Sequence, residues 1–207
     1  MKLKHEDLYD LIYKKNEKNV TIGHVDTAKS SLCGHLLYKC GYIDERSMEK
    51  IRVKAANEKM SKWVWARVLD IYEEEMVRGK THEFTTIDFE HDEKKYQLID
   101  TPGHQKFIRS MIEGISKDVN IAILLVSMLD NEFNSGFIKG TLKEHLLLAK
   151  SVGIEYLVIV ANKMDLIQWN KDNCNKKINS VIKHIIKDLH WNKNNIRVVP
   201  ISAFHGT

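Results

Sequence analysis

Cysteine is scarce and lacks paired spacing. Cys33, Cys40 and Cys174 form an odd set without a CxxC pair, which argues against a disulfide framework and against a zinc site. A reducing cytoplasm is the expected setting. Long hydrophobic runs are missing too: the longest strongly apolar stretch, Ile121 to Met128, falls far short of the roughly 20 residues needed to span a bilayer. No membrane span and no membrane partner are expected. Met1 to Lys15 mixes Lys4, Glu6, Asp7 and Asp10 with scattered apolar positions, so it lacks the uninterrupted apolar core of a secretory signal. Charge of one sign is also lacking. With 32 basic and 28 acidic residues the formal net charge is only +4, which allows a basic surface for RNA but gives no strong electrostatic footprint. No internal repeat is present.

What is there suits one substantial core: 207 residues, 43% of them hydrophobic, within single-domain size. Short β-branched or aliphatic runs alternate with longer helix-period stretches, the pattern of an α/β fold with a mostly parallel sheet covered by helices. Candidate strands are Asn19 to Ile22, Phe84 to Glu90, Lys95 to Ile99, Ile121 to Ser127, Glu155 to Ala161 and Arg197 to Ile201. The continuous apolar runs at Ile121 to Val126 and Tyr156 to Ala161 suit central strands buried on both faces. Phe84 to Gln97 reads as a hairpin turning at His91 to Lys94, with one side toward solvent. Helices are expected at Ser30 to Cys40, Glu45 to Lys59, Val64 to Arg78, Gln105 to Ile115, Leu142 to Ser151 and Lys171 to Leu189. The Asn- and Lys-rich stretches Asn170 to Lys177 and Trp191 to Asn195 read as solvated helix faces and a loop.

Directly after the first strand stands Gly23-His24-Val25-Asp26-Thr27-Ala28-Lys29-Ser30-Ser31, in the strand, loop and helix context of a phosphate-binding loop. In such a loop successive backbone N–H groups turn inward to phosphate oxygens, Lys29 reaches the β and γ phosphates, and the Ser30 hydroxyl ligates Mg²⁺. The departure is Ala28, where the pattern G-x-x-x-x-G-K-[ST] has its second glycine. Its methyl group either crowds the approaching phosphate or demands a φ angle reserved for glycine.

Further along, Asp100-Thr101-Pro102-Gly103-His104 closes the hairpin and leads into a helix. Asp100 can face a Mg²⁺-bound water there while Gly103 offers its N–H to a γ-phosphate. Asn162-Lys163-Met164-Asp165 follows an apolar strand, and an Asp165 carboxylate in that place accepts hydrogen bonds from N1–H and the amino group of guanine, a pair of donors adenine lacks. Asn162 and Lys163 would brace the pocket. After the last strand, the small-residue backbone of Ser202, Ala203 and Phe204 can approach the base carbonyl. The shared order of these elements, each at a strand end where open α/β sheets bind ligands, makes coincidence improbable.

From about Asn19 to Thr207 the sequence resembles the translational GTPases: elongation factor Tu, elongation factor one-alpha, the eukaryotic release-factor GTPase and the ribosome-rescue GTPases. The resemblance rests on GHVD at Gly23 to Asp26, YKCGYID at Tyr38 to Asp44, RGKT at Arg78 to Thr81, DTPGH at Asp100 to His104 and NKMD at Asn162 to Asp165. The long stretch between Ser31 and Arg78 is similar to the helical insertion of the elongation-factor-one-alpha branch. Lys80, Glu83, EFNSGF at Glu132 to Phe137 and EHLLLAKSVGI at Glu144 to Ile154 look most like the release-factor and rescue GTPases. Elongation factors of the family usually carry a branched aliphatic residue at the place of Lys80, opposite Val25, so the apolar gate over the histidine is incomplete here.

The resemblance implies a P-loop GTPase domain at residues 19–207 behind an N-terminal extension at 1–18. Its sheet would have six mostly parallel strands with one antiparallel hairpin strand, and helices on both faces. It implies GTP or GDP with Mg²⁺ held by Ser30, Thr81 and Asp100, and His104 as the catalytic residue orienting the attacking water, with hydrolysis slow until the ribosome acts. Asp26 matches a position that helps hold a monovalent cation in this family; a solvent-facing carboxylate is the equal alternative. The family's two β-barrel domains are expected to be absent from this chain. A monomer is expected, and the ribosome is the implied partner, with a stop-codon decoding release factor or a rescue factor. Two other readings stay open: an elongation factor delivering aminoacyl-tRNA, and a degenerate nucleotide-binding module weakened by Ala28.

Overall fold

The computed structural model describes residues 18–69, 85–91, 94–100, 119–140 and 142–207. Six strands among them form one sheet: β1 (Lys18–Gly23), β2 (Thr85–His91), β3 (Lys94–Asp100), β4 (Val119–Ser127), β5 (Tyr156–Asn162) and β6 (Ile196–Pro200). The spatial order is β2-β3-β1-β4-β5-β6, with β2 antiparallel to β3 and every other pair parallel. The fold expected from the sequence is therefore observed, with strand bounds shifted by one or two residues.

The reason lies in how the apolar runs divide between two faces. Along β4, Ala122, Leu124 and Val126 enter one core with Leu157, Ile159 and Ala161 of β5, while Ile121, Ile123 and Leu125 enter a second core with Val158 and Val160. A strand buried on both faces needs apolar residues at every position, as parallel sheets require. Helices α4 (Leu142–Ser151) and α5 (Lys171–Lys187) cover the first face, and α1 (Lys29–Lys39) covers the second. Helix α5 follows Asn170, whose side chain caps it by accepting from the Asn173 N–H at 3.0 Å. It buries Cys174, Lys177, Ile178, Val181 and Ile185, a stripe at helical spacing. A third, smaller core joins Met48 and Ile51 of α2 (Glu45–Asn57) to Trp65 and Val68. The latter two lie on helical residues 64–69, after a 3₁₀ turn at Ser61–Trp63.

Three features differ from the sequence reading. A helical turn, α3 (Asp130–Phe133), continues as a π-helical turn at Asn134–Ile138, where no element is expected. Lys177, expected on a solvated face, is buried; its ammonium donates to the Met128 carbonyl at 2.5 Å and pairs with Asp130 at 2.6 Å. Trp191, expected in a loop, is buried with its indole N–H donating to the Glu155 carbonyl at 3.0 Å. The expected helix Gln105 to Ile115, and the Val64 to Arg78 helix beyond residue 69, lie outside the described residues. No helix among the described residues is long and apolar enough to cross a membrane.

Candidate nucleotide site

The parallel strands β1, β3, β4, β5 and β6 point the same way, so Gly23, Asp100, Ser127, Asn162 and Pro200 end at one edge of the sheet. Ligands of open α/β sheets sit at that edge. Between β1 and α1 the loop passes through left-handed backbone twice, at Asp26 (φ 65°) and at Ala28 (φ 66°). Of the two readings open for Ala28, the left-handed φ is observed, and a non-glycine residue holds it at a cost of about 1 kcal/mol. Ala28 is also the N-cap of α1 and offers no side-chain cap, which leaves the helix's first N–H groups for an anion. Asp26 is exposed.

Lys29 folds back over this loop. Its ammonium donates to the Gly23 carbonyl at 3.0 Å and the His24 carbonyl at 2.9 Å. Burial holds it below the usual lysine range, against the pull of Asp100. The Thr27 hydroxyl donates to the His24 carbonyl at 2.8 Å. His24, Val25 and Ser31 are half-buried. Asp100, brought by β3, accepts from the Ser30 hydroxyl at 2.8 Å and from the Thr21 hydroxyl at 2.9 Å. Thus two of the three residues expected at a metal meet directly. Thr81, the third, lies outside the described residues, as do Gly103, His104, Lys80 and the RGKT motif.

At the other end, buried Asn162 ties three loops together. Its amide N–H₂ donates to the Thr27 carbonyl at 2.9 Å; its Oδ1 accepts from the Lys163 N–H at 2.7 Å and the Ala203 N–H at 2.9 Å. With both its side-chain polar atoms so engaged, buried Asn162 holds these loops together. Asp165 opens a short 3₁₀ turn, and its carboxylate lies 3.7 Å from His205 Nε2. Ser202 and Ala203 are buried, while Phe204 is 44% exposed.

Sequence reasoning passed over two contributors. The α3 turn supplies Glu132, whose two carboxylate oxygens each lie 2.7 Å from the Lys163 ammonium. Its π-helical continuation places Gly136 where an added Cβ would stand 3.1 Å from the His24 Cβ, so one short element abuts both loops. His145 of α4 is buried, with Nδ1 lacking a partner. Burial first, then the charges of Lys29 and His24, hold its pKa down to about 4. Within EFNSGF and EHLLLAKSVGI, the acidic Glu132 and the otherwise apolar face around His145 were the available signals.

A phosphate loop after β1, an acidic residue ending β3 and an Asn-Lys-x-Asp loop after β5, on a sheet of this order, define a P-loop GTPase domain. The chain belongs to the elongation factor Tu GTP binding domain family, which it matches over residues 14–207. It is 39% identical over 189 residues to an elongation factor 1 alpha-like protein of Schizosaccharomyces pombe, covering 91% of this chain and 32% of that protein. To elongation factor 1-alpha of Aspergillus oryzae it is 38% identical over 194 residues, covering 93% and 42%. The chain thus spans less than half the length of these relatives. Among solved structures, the S. cerevisiae Ski7 GTPase-like domain bound to GDP and inorganic phosphate shares the fold at a TM-score of 0.75. Identity there is 22% over 99% of this chain and 46% of that one. Sup35 complexed with GDP matches at a TM-score of 0.65 and 26% identity, covering 99% and 41%.

Proposed function

We propose that this domain binds GTP and GDP with Mg²⁺, hydrolyses GTP, and serves as the switch of a translation factor acting on the ribosome in termination or rescue. The observation that carries the nucleotide reading is Asn162, which joins the phosphate loop at Thr27 to the base loop at Ala203, so that one ligand spanning both is favoured. Lys29 would leave its two carbonyls for the β and γ phosphates. Ser30 and Asp100 offer hard oxygen donors, one directly and one through water, which suits Mg²⁺. No cluster of three or more His, Cys, Asp or Glu side chains among the described residues holds a metal alone, so phosphate oxygens and water would complete the shell. His104 remains the proposed orienter of the attacking water, with Gly103 and Thr81 at the γ-phosphate. Phosphoryl transfer needs mainly positioning and charge neutralisation, so hydrolysis is slow until a partner orders these groups.

The termination or rescue role rests on RGKT and its Lys80. The elongation reading, delivery of aminoacyl-tRNA, draws support from relatives named elongation factor 1-alpha. A module with weak or no turnover draws support from Ala28 at φ 66°. Titration with fluorescent GDP, GTP and ATP in Mg²⁺ tests the nucleotide reading, and equal affinity for ATP and GTP overturns it. Asp165→Asn should shift preference toward xanthine nucleotides, because the amide now donates where the carboxylate accepted. Single-turnover hydrolysis with and without ribosomes separates an active switch from a silent module. Capture of a stop-codon decoding factor, set against capture of charged tRNA, separates the two active roles.

A further inference from the structure

The loop after β6 is held from behind by α1 and by the segment that follows it. His35, on the buried face of α1, lies with Nδ1 2.8 Å from the Ala203 carbonyl; a carbonyl only accepts, so Nδ1 carries the proton. The Trp65 indole N–H donates to the next carbonyl, Phe204, at 2.7 Å. The two rings stack at a centroid distance of 3.7 Å and an interplanar angle of 16°. Gly206 closes the loop over them: at φ +70° an added Cβ would stand 2.4 Å from His35 Nε2, while its N–H donates to the Ser202 carbonyl at 2.8 Å.

The His35 bond sets a direction, and Trp65 supports it by stacking on His35 and fixing the next carbonyl. In a planar trans peptide the N–H points opposite to the C=O. Anchoring the Ala203 carbonyl toward α1 therefore aims the Phe204 N–H away from α1, and it has no acceptor among the described residues. The Ala203 N–H is already given to Asn162. Hence one fixed backbone donor remains in the loop expected to face a base carbonyl.

We infer that His35 and Trp65 are positioning residues for base recognition, holding the Phe204 N–H toward the oxygen at position 6 of guanine. The inference rests on the proposed guanine site. It gives α1 and the stretch that follows it a share in base selectivity although neither ring is proposed to touch the ligand.

The test compares GDP, 6-thio-GDP, which changes only the atom at position 6, and IDP, which lacks only the 2-amino group. Trp65→Phe keeps a ring and removes the donor; His35→Leu removes the other donor; His35→Asn retains one. Trp65→Phe and His35→Leu should each weaken GDP about five-fold, the loss expected for one hydrogen bond. They should weaken 6-thio-GDP by less than about two-fold, leave the GDP to IDP ratio unchanged, and His35→Asn should bind GDP within about two-fold of the parent chain. A merely structural role would lower all three affinities together, and that result, or unchanged GDP binding, overturns the inference. If Trp65→Phe fails to fold on thermal melting, the two His35 variants carry the same comparison. A parent chain that binds no guanine nucleotide overturns the nucleotide reading as well; a parent that discriminates while the variants do not differ overturns this inference alone.

Discussion

At the phosphate end of the strand edge, the side chains that a phosphate or its metal would claim are bonded within the protein: Lys29 to two loop carbonyls and Ser30 to Asp100. At the base end, Asn162, His35 and Trp65 bond to the loops from behind. On the proposed nucleotide reading, the first end exchanges its bonds when a ligand arrives and the second keeps them. Occupancy should therefore rearrange the phosphate end and merely use the base end as built. This predicts that substitutions at the base end act on stability and affinity together, whereas those at the phosphate end act mainly on affinity.

Asn162→Ala is the severest way to break that contrast. It deletes bonds to Thr27, Lys163 and Ala203 and leaves buried partners unsatisfied. A loss of roughly 4 kcal/mol in stability is expected by denaturant unfolding, with GDP affinity falling at least about a hundred-fold. Intact stability with lost affinity would assign Asn162 to the ligand and not to the frame.

His145 tests whether the floor of the phosphate loop is neutral. Its folded pKa of about 4 lies below the 6.5 of a free histidine, so between those values the unfolded chain binds more protons. Stability is then full above pH 6.5 and falls as the pH drops toward 4, by on the order of 3 kcal/mol. His145→Leu should flatten that limb of a stability-versus-pH curve. An unchanged limb would place the acid sensitivity elsewhere.

A smaller effect is expected at Ala28. Ala28→Gly relieves the left-handed backbone and should tighten both GDP and GTP by about five-fold, corresponding to roughly 1 kcal/mol. Tight binding by the parent and no change in the variant would mean the loop has absorbed the methyl group. Smallest is Glu132→Gln, which releases a partly exposed Lys163: less than about 1 kcal/mol in melting experiments, with a modest change in nucleotide affinity. A large stability loss would move Lys163 and Glu132 into the frame with Asn162.

Much of this arrangement is legible in the residue pattern. The unbroken apolar runs of β4 and β5 declare burial on both faces, and the missing glycine at position 28 marks a departure that is either a crowded approach or a strained φ, with the backbone showing the strained φ. Less is legible where tertiary contact overrides local character. Apart from Glu132 and Phe133, Asp130 to Gly136 is built from residues that favour turns and caps, so its helical and π-helical turns carry no periodic signal. Lys177 reads as solvent-facing because its carbonyl and carboxylate partners lie far back in the chain. His145 sits in an apolar stripe and looks like any core residue until the loop above it is placed. The hold of His35 and Trp65 on the base loop joins positions far apart in sequence, which no local pattern records.

Gly34 gives the insertion a simple admission rule. An added Cβ there would stand 1.9 Å from the Trp65 carbonyl oxygen, so the crossing backbone can lie on α1 only while position 34 carries hydrogen alone. Any relative with a larger residue five places after the phosphate-loop lysine must route its insertion differently. That one position forecasts, from sequence, whether a chain docks its extra helices in this way.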